Sequence, residues 1–213
     1  MFTGLIEEVG KIRDSRYSSK GCVLCVECGK ILDGLKTGDS VAVNGACLTV
    51  TKISKDGFET EISNETLSKT NSNSIKIGAE VNLEPALQFN GRLDGHIVTG
   101  HIDCYARFKE MTEDGFSKKF TFEIEQGFQK YLAYKGSVAI NGISLTVADK
   151  DDLEFSVVII PSTIENTNIR NLKSGDVVNI ETDILAKYVE NFVNYTETKK
   201  EIDKNFLEEN GFI

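Results

Sequence analysis

A short motif that could bind a planar ring occurs twice in the chain, once around Cys47 and once around Ser144. Each copy starts with Asn-Gly and ends with Leu-Thr-Val. Side chains two residues apart on a strand lie on the same face, so Cys47 shares a face with Thr49, and Ser144 shares one with Thr146. We predict that both strands offer hydrogen-bonding groups to a heterocyclic ligand. The alternative is structural: a solvent-facing threonine beside a small buried side chain.

Proton transfer could involve His96, His101 and Asp183. Histidine titrates near neutral pH and suits this role, although a hydrogen-bonded loop residue explains His96 at least as well. Asp183 precedes the apolar stripe of the C-terminal segment and is either a second base or an ordinary helix N-cap. Cys47 could act as a nucleophile or proton relay, or it could simply line a pocket.

Three cysteines, Cys22, Cys25 and Cys28, have a spacing typical of metal ligands. The run is strand-like, however, so Cys25 would point away from the other two and the thiolates could not meet at one ion. We therefore predict no metal site. The N-terminus does not resemble an export signal, and we expect the cysteines to be reduced thiols in the cytoplasm.

The composition restricts the class of ligand. The chain has 213 residues, of which 40% are hydrophobic and 27% are charged, as in ordinary globular proteins. Its formal net charge of −9 argues against nucleic acid as a partner, because such proteins carry a clustered basic face. No apolar window is long enough to span a membrane. A small-molecule site is the remaining expectation.

The chain contains an internal duplication, in which an offset of 97 residues relates Cys47 to Ser144. Three further pairs of segments match: 65–71 with 162–168, 78–84 with 175–181 and, at an offset of 96, 2–7 with 98–103. Four matched blocks in the same order indicate two copies of one module. We predict domains at 1–96 and 97–184, followed by a C-terminal segment at 185–213.

Each half consists of short apolar or β-branched runs separated by turn dipeptides such as Asn44-Gly45 and Asp56-Gly57. The predicted strands include Val23–Glu27, Ser40–Val43, Leu48–Ile53, Phe58–Ile62, Phe120–Ile124 and Phe155–Ile160. Strands at this spacing indicate an antiparallel barrel or sandwich, and a small closed barrel is favoured because closure hides the sheet edges. Short helical turns are expected near Ile31–Leu35 and Thr66–Thr70.

The last segment has helical periodicity. Its main apolar stripe is Leu185, Tyr188, Val189, Phe192 and Val193, and a weaker stripe is Ile202, Phe206 and Leu207. A helix with such a stripe must bury it, either on a partner subunit or on its own barrel.

Five segments resemble the riboflavin synthase family of the α-chain type: 1–8, 44–50, 95–103, 141–147 and 183–190. The resemblance implies an all-β fold of two tandem six-stranded antiparallel Greek-key β-barrels, with a C-terminal α-helix that forms a homotrimer. It implies four-carbon transfer between two molecules of 6,7-dimethyl-8-ribityllumazine, giving riboflavin and 5-amino-6-(ribitylamino)uracil. It also implies that no metal or organic cofactor is used. A lumazine synthase is a further candidate partner.

The family's binding positions fall on matching segments of the two halves. In the first half they are Gly4, Leu5, Ile6, Cys47, Leu48, Thr49, Glu61, Ile62, Ser63, Asn64, Glu65 and Thr66. In the second half they are Gly100, His101, Ile102, Lys135, Ser144, Leu145, Thr146, Val158, Ile159, Ile160, Pro161, Ser162 and Thr163. The candidate catalytic residues are Cys47, His101, Ser144, Thr146 and Asp183. One departure is Asp94, where the family more often has glycine.

The two halves carry different groups at matching positions: Cys47 corresponds to Ser144, and Leu5 corresponds to His101. We hypothesise that the first barrel holds the acceptor, with Cys47 near its electrophilic carbon, and that the second holds the donor. The alternative is a non-catalytic antenna-type protein that holds a lumazine or flavin on the same fold. A structural trimer without a ligand would leave the two polar strand faces without a function.

Overall fold

The structure, a computed structural model, describes residues 1–70, 76–197, 207–208 and 211–212. Within these residues, twelve strands form two closed antiparallel barrels. The first contains β1 (Glu8–Ser18), β2 (Gly21–Glu27), β3 (Ser40–Val43), β4 (Ala46–Ser54), β5 (Gly57–Ile62) and β6 (Glu80–Pro85). The second contains β7 (Cys104–Asp114), β8 (Ser117–Ile124), β9 (Ser137–Ile140), β10 (Ile143–Lys150), β11 (Glu154–Ile159) and β12 (Val177–Thr182).

The helices are short except for the last one. They are α1 (Asn64–Lys69), α2 (Pro161–Glu165) and α3 (Ile184–Glu197), with 3₁₀ turns at Lys30–Leu32, Gln129–Tyr131 and Asn168–Asn171. The helical turns predicted in the first half correspond to Lys30–Leu32 and α1. No helix in the described ranges has both the length and the apolarity needed to cross a membrane.

Both barrels have the same strand order. Around the first barrel the strands follow β1-β2-β5-β4-β3-β6, and around the second they follow β7-β8-β11-β10-β9-β12. Closure in the first barrel comes from the pairing of β1 with β6, and in the second from the pairing of β12 with β7. The repeated order confirms the predicted duplicated barrel fold.

Alternating inward side chains fill each barrel, as the period of a strand requires. In β2, Cys22, Leu24 and Val26 are buried, whereas Cys25 lies on the outer face. The second core is more aromatic: the rings of Phe122 and Phe155 stack with centroids 5.5 Å apart. Burial of a side chain of this size contributes about 1.5–3 kcal/mol.

The barrels meet at their Asn-Gly turns. Nδ2 of Asn82 donates to the carbonyl of Asn141 at 3.0 Å, and Nδ2 of Asn179 donates to the carbonyl of Asn44 at 2.9 Å. Such a reciprocal pattern is what a twofold relationship produces. The two copies of the module therefore pack against each other symmetrically within one chain.

The segments that precede each barrel also pair with each other. Phe2 and Val98 form an antiparallel bridge, with N···O distances of 2.7 Å from Phe2 to Val98 and 3.1 Å in the reverse direction. Both side chains are buried. This pairing lies between the barrels, so each N-terminal segment can reach the opposite barrel.

The helix α3 is anchored at its polar side. Nζ of Lys187 donates to Oδ1 of Asp103 at 2.6 Å, and Lys130 pairs with Glu190. Its apolar stripe is exposed rather than docked on the chain's own barrel: Leu185 is 62% and Phe192 71% exposed. Of the weaker stripe, Ile202 and Phe206 lie outside the described residues, and Leu207 is half-buried.

Candidate functional site

The strands β4 and β10 each have one apolar and one polar face, as the sequence predicts. In β4, Leu48 and Val50 are buried, whereas Cys47 is half-buried and Thr49 is exposed. The strand β10 repeats this arrangement with Ser144 and Thr146 on the outer face. Both strands therefore have an apolar core face and an accessible polar face.

Each polar face is contacted by the N-terminal segment of the other half. The amide of Ser144 donates to the carbonyl of Gly4 at 2.8 Å, and the amide of Cys47 donates to the carbonyl of Gly100 at 2.9 Å. By sequence, residues 4–6 and Cys47 belong to the first half and residues 100–102 and Ser144 to the second, so each segment contacts the strand of the other half. The pairing of Phe2 with Val98 carries each segment across to the other barrel. Gly100, which precedes His101, contacts Cys47, and Gly4, which precedes Leu5, contacts Ser144.

Glycine is required at both crossing points. Gly4 has a φ of +78°, and a Cβ there would lie 2.6 Å from Cβ of Ser144. Gly100 has a φ of +83°, and a Cβ there would lie 2.4 Å from Cβ of Cys47. Both the left-handed backbone and the close approach exclude larger residues. The glycines thus bring the backbone directly against the two polar side chains.

A cavity of about 560 Å³ opens between this crossing segment and the second barrel. Six predicted binding residues line it: Gly4, Leu5, Ile6, Ser144, Ser162 and Thr163. Nine further lining residues were not predicted: Glu7, Glu8, Val9, Lys30, Ile143, Glu165, Asn166, Thr167 and Arg170. The last four run from the end of α2 into the 3₁₀ turn at Asn168–Asn171, a stretch that the sequence pattern did not assign to the site. The volume suits a heterocycle with a polar side chain.

Several other predicted residues have buried side chains. Leu48, Ile62, Leu145 and Ile159 face the barrel cores, so only their backbone atoms are available to a ligand. Val158 and Ile160 on the matching stretch of the second half are exposed, at 38% and 57%.

In the first half, the segment 61–66 matches the α2 region and likewise leads into a short helix, α1. Ser63 caps α1, its hydroxyl oxygen accepting from the amide of Thr66 at 3.2 Å, and Nδ2 of Asn64 donates to the carbonyl of Ser19 at 3.0 Å. Glu61 and Glu65 are exposed. This segment corresponds to the α2 region that lines the cavity of the second barrel.

Lys135 adopts a backbone conformation that is rare for its type. Its φ is +63°, and the corresponding first-half residue is Gly38, with a φ of +95°. Its amide donates to the carbonyl of Val147 at 2.9 Å, at the strand that carries Ser144. The lysine carries a backbone strain that the glycine of the other copy avoids, and its side chain is exposed.

His96 has a closer connection to the site than its sequence position indicated. Its Nδ1 lies 2.7 Å from Oγ of Ser144, and the side chain is buried. Burial lowers the pKa of His96, and the charge of Asp183 raises it in part. Asp183 also caps α3, its Oδ1 accepting from the amide of Leu185 at 3.0 Å. The three residues thus form one polar group at the second barrel.

The loop before His96 accommodates the unusual Asp94. Its carboxylate accepts from Nε of Arg92 at 3.2 Å, and both side chains are exposed to solvent. Gly95 cannot be replaced in the same way, because a Cβ there would lie 2.1 Å from the carbonyl oxygen of Thr3. Asp94 therefore lies at the surface, next to a glycine that the fold requires.

The cysteine run of β2 has the alternating arrangement expected for a strand. Cys22 and Cys28 are buried, whereas Cys25 lies outside and accepts from Nη2 of Arg16 at 3.6 Å. Burial raises the pKa of Cys28 to about 12, and it raises the pKa of Cys104 further. These buried thiols are poor nucleophiles at neutral pH.

The fold and the two polar strand faces define a duplicated-barrel protein with a candidate ligand cavity beside Ser144. The lumazine binding domain family matches residues 3–86 and 99–183. The chain is 42% identical to riboflavin synthase of Actinobacillus pleuropneumoniae and 38% identical to that of Bacillus subtilis (strain 168), over the full length of each protein. It therefore belongs to the riboflavin synthase family.

The fold also matches solved structures of LumP. The complex of LumP with 6,7-dimethyl-8-(1'-D-ribityl) lumazine has a TM-score of 0.78 and 27% identity, and the match covers 85% of this chain and 99% of that one. The complex of LumP with riboflavin has a TM-score of 0.79 at the same identity and coverage.

Proposed function

We propose that this chain is a transferase that converts two molecules of 6,7-dimethyl-8-ribityllumazine into riboflavin and 5-amino-6-(ribitylamino)uracil, the last step of riboflavin biosynthesis. The observation that carries the proposal is the full-length similarity to riboflavin synthases at 36–42% identity. The reaction needs two ligands at once, and both barrels retain the polar strand face and the glycine contact.

The reaction places different demands on its two substrate molecules. The donor must lose a proton from its acidic 7-methyl group, whereas the acceptor must take up a nucleophile at an electrophilic ring carbon. Holding the rings face to face makes the encounter effectively intramolecular, which is worth up to about 7–11 kcal/mol in ideal cases. The main contribution of the protein is therefore to hold the two substrate rings in position. Its polar side chains accept and donate the protons.

The two sites differ in a way that suits these demands. Beside Cys47 lies the segment that starts at Gly100 and continues to His101, so a thiol and an imidazole belong to one site. Beside Ser144 lie His96 and the apolar Leu5. We assign the acceptor to the Cys47 site and the donor to the Ser144 site, with Thr146, Lys135 and Asp183 as further polar groups on the donor side.

A lumazine-binding antenna protein is the second candidate, because LumP has the same fold. Its 27% identity is lower than that of the riboflavin synthases, and a single-ligand binder has no need for two equipped sites. Incubation of the purified chain with the lumazine separates the two functions. We expect flavin absorbance to appear; tight binding of the lumazine without turnover would favour the antenna function.

We further propose that the active protein is a homotrimer in the cytoplasm. The exposed stripe of α3, from Leu185 to Val193, supports association of copies, because an apolar face of this kind is normally covered. A neighbouring copy could then bring a Ser144 site to a Cys47 site.

The five cysteines are unpaired, which suits a reducing compartment. Lumazine synthase, which would supply the substrate, remains a candidate partner; co-sedimentation of the two proteins tests this.

A further inference from the structure

Two buried glutamates hold the segments that cross between the barrels. Oε1 of Glu84 accepts from the amide of Thr3 at 2.6 Å and from its hydroxyl at 2.8 Å, and Oε2 accepts from the amide of Gly4 at 3.0 Å. Glu84 is only 3% exposed. Of the two donor residues, Gly4 lines the Ser144 cavity and Thr3 directly precedes it.

The second barrel repeats this arrangement. Oε1 of Glu181 accepts from the amide of Thr99 at 2.6 Å and from its hydroxyl at 2.7 Å, and Oε2 accepts from the amide of Gly100 at 2.9 Å. Glu181 is 2% exposed. The Thr99 hydroxyl in turn accepts from the amide of His101 at 3.3 Å, which extends the network to the residue beside Cys47.

We infer that Glu84 and Glu181 are positioning residues that act crosswise: each belongs to one barrel and fixes the ligand site of the other. Glu84 on β6 holds the backbone that contacts Ser144, and Glu181 on β12 holds the backbone that contacts Cys47. The identity of the ligand rests on the proposed function, whereas the crosswise action of the two glutamates does not depend on it.

A carboxylate is suited to this task because it only accepts hydrogen bonds. A glutamine would turn an N–H group toward Thr3 or Gly4, so at least one buried donor would lose its acceptor. Glu84→Gln should therefore disturb the Ser144 site selectively, and Glu181→Gln should disturb the Cys47 site. A generally destabilising change would weaken both sites.

The test uses riboflavin as the probe and thiol alkylation as the readout for each site. Alkylation of Cys47, followed by mass spectrometry, reports occupancy of the Cys47 site. The double variant Cys47→Ser/Ser144→Cys places the same reporter in the other site. Glu59→Gln is the control, because Glu59 is a strand carboxylate that pairs with Arg16 and Lys52 outside both sites.

Glu181→Gln should raise the riboflavin concentration that half-protects Cys47 by roughly tenfold or more, and Glu84→Gln should do the same at position 144. Each should leave the opposite reporter within about twofold of its background. Equal shifts at both reporters, a shift only in the glutamate's own barrel, or no shift would overturn the inference. Lumazine turnover by the unmodified protein is measured separately, so failure of the proposed function is distinguishable.

If a glutamine variant does not fold, Thr3→Val and Thr99→Val provide the same test. Each removes the hydroxyl donor to one glutamate and the acceptor for the next amide, at Leu5 or His101, while keeping the side-chain shape. We expect the same crosswise selectivity with a smaller shift. Equal effects of either threonine variant on the two reporters would also overturn the inference.

Discussion

Nδ1 of His96 lies 2.7 Å from Oγ of Ser144, so the imidazole and the hydroxyl share a hydrogen bond. Because burial lowers the pKa of His96, the imidazole is neutral near neutral pH. A neutral ring has one accepting nitrogen, so His96 can take the hydroxyl proton when Ser144 faces a substrate that is losing its own. Its Nε2 is buried and has no hydrogen-bond partner in the part of the chain that the structure describes.

Replacement of His96 should separate its hydrogen bond to Ser144 from its ability to take up a proton. Asparagine places an amide atom near the position of Nδ1, whereas alanine leaves Ser144 without its partner. We expect His96→Ala to lower kcat by about tenfold to a hundredfold and His96→Asn to retain more of the activity. Steady-state kinetics with the lumazine measure this difference. Equal kcat values for His96→Ala and the unmodified protein would contradict the assignment.

The depressed pKa of His96 also predicts a pH dependence of stability. The unfolded chain binds a proton near the ordinary value of 6.5, whereas the folded chain resists protonation. The unfolded state therefore binds more protons in this window, and folding stability falls as the pH falls below about 6.5. Urea unfolding at pH 7.5 and 5.5 should show a larger loss for the unmodified protein than for His96→Asn.

Comparison with His96→Asn removes the contribution of Glu84 and Glu181 to the pH dependence of stability, which has the opposite sign. Burial raises the pKa values of Glu84 and Glu181 in the folded state, so their contribution to stability is lost as the pH rises through the raised values. Both proteins carry these glutamates. The same pH dependence in the two proteins would show that His96 does not titrate as described.

Local patterns predicted the barrels and the two strand faces, because alternation along a strand and Asn-Gly turns are local properties of sequence. The strands β1 and β7 were missed for a local reason as well. In each, the inward residues are followed by an exposed, polar continuation that ends at a hairpin turn. Such a stretch has no buried face, so it lacks the alternation that identifies a strand.

The crossing of Gly4 to Ser144 could not be predicted in this way. It depends on how one barrel sits against the other, which is set by contacts such as that between Asn82 and Asn141. These side chains are far apart in sequence, and no local period relates them. For the same reason the sequence left two roles open for His96, in proton transfer or as a hydrogen-bonded loop residue, and did not indicate its contact with Ser144.

A chemical role for the Cys47 thiol predicts a loss of turnover without a matching loss of binding. We expect Cys47→Ser to lower kcat by about tenfold, and Cys47→Ala by at least as much, with little change in KM. The control is Cys25→Ala, because Cys25 lies on the outer face of β2, away from both sites. Unchanged turnover in both Cys47 variants would reduce the thiol to a pocket-lining group.

The contact between the two Asn-Gly turns predicts a large effect of a single methyl group. Gly45 has a φ of +80°, and a Cβ there would lie 2.7 Å from the amide nitrogen of Gly142. Gly34 is a matched control, since its φ is +89° with no atom within 4 Å of a Cβ in the described structure.

We expect Gly34→Ala to cost about 1 kcal/mol of unfolding free energy, from its left-handed backbone alone. Gly45→Ala should cost about 3 kcal/mol or more, because the barrels must also move apart. Urea unfolding of both variants measures the difference, and equal losses would mean that the barrels do not meet at these turns.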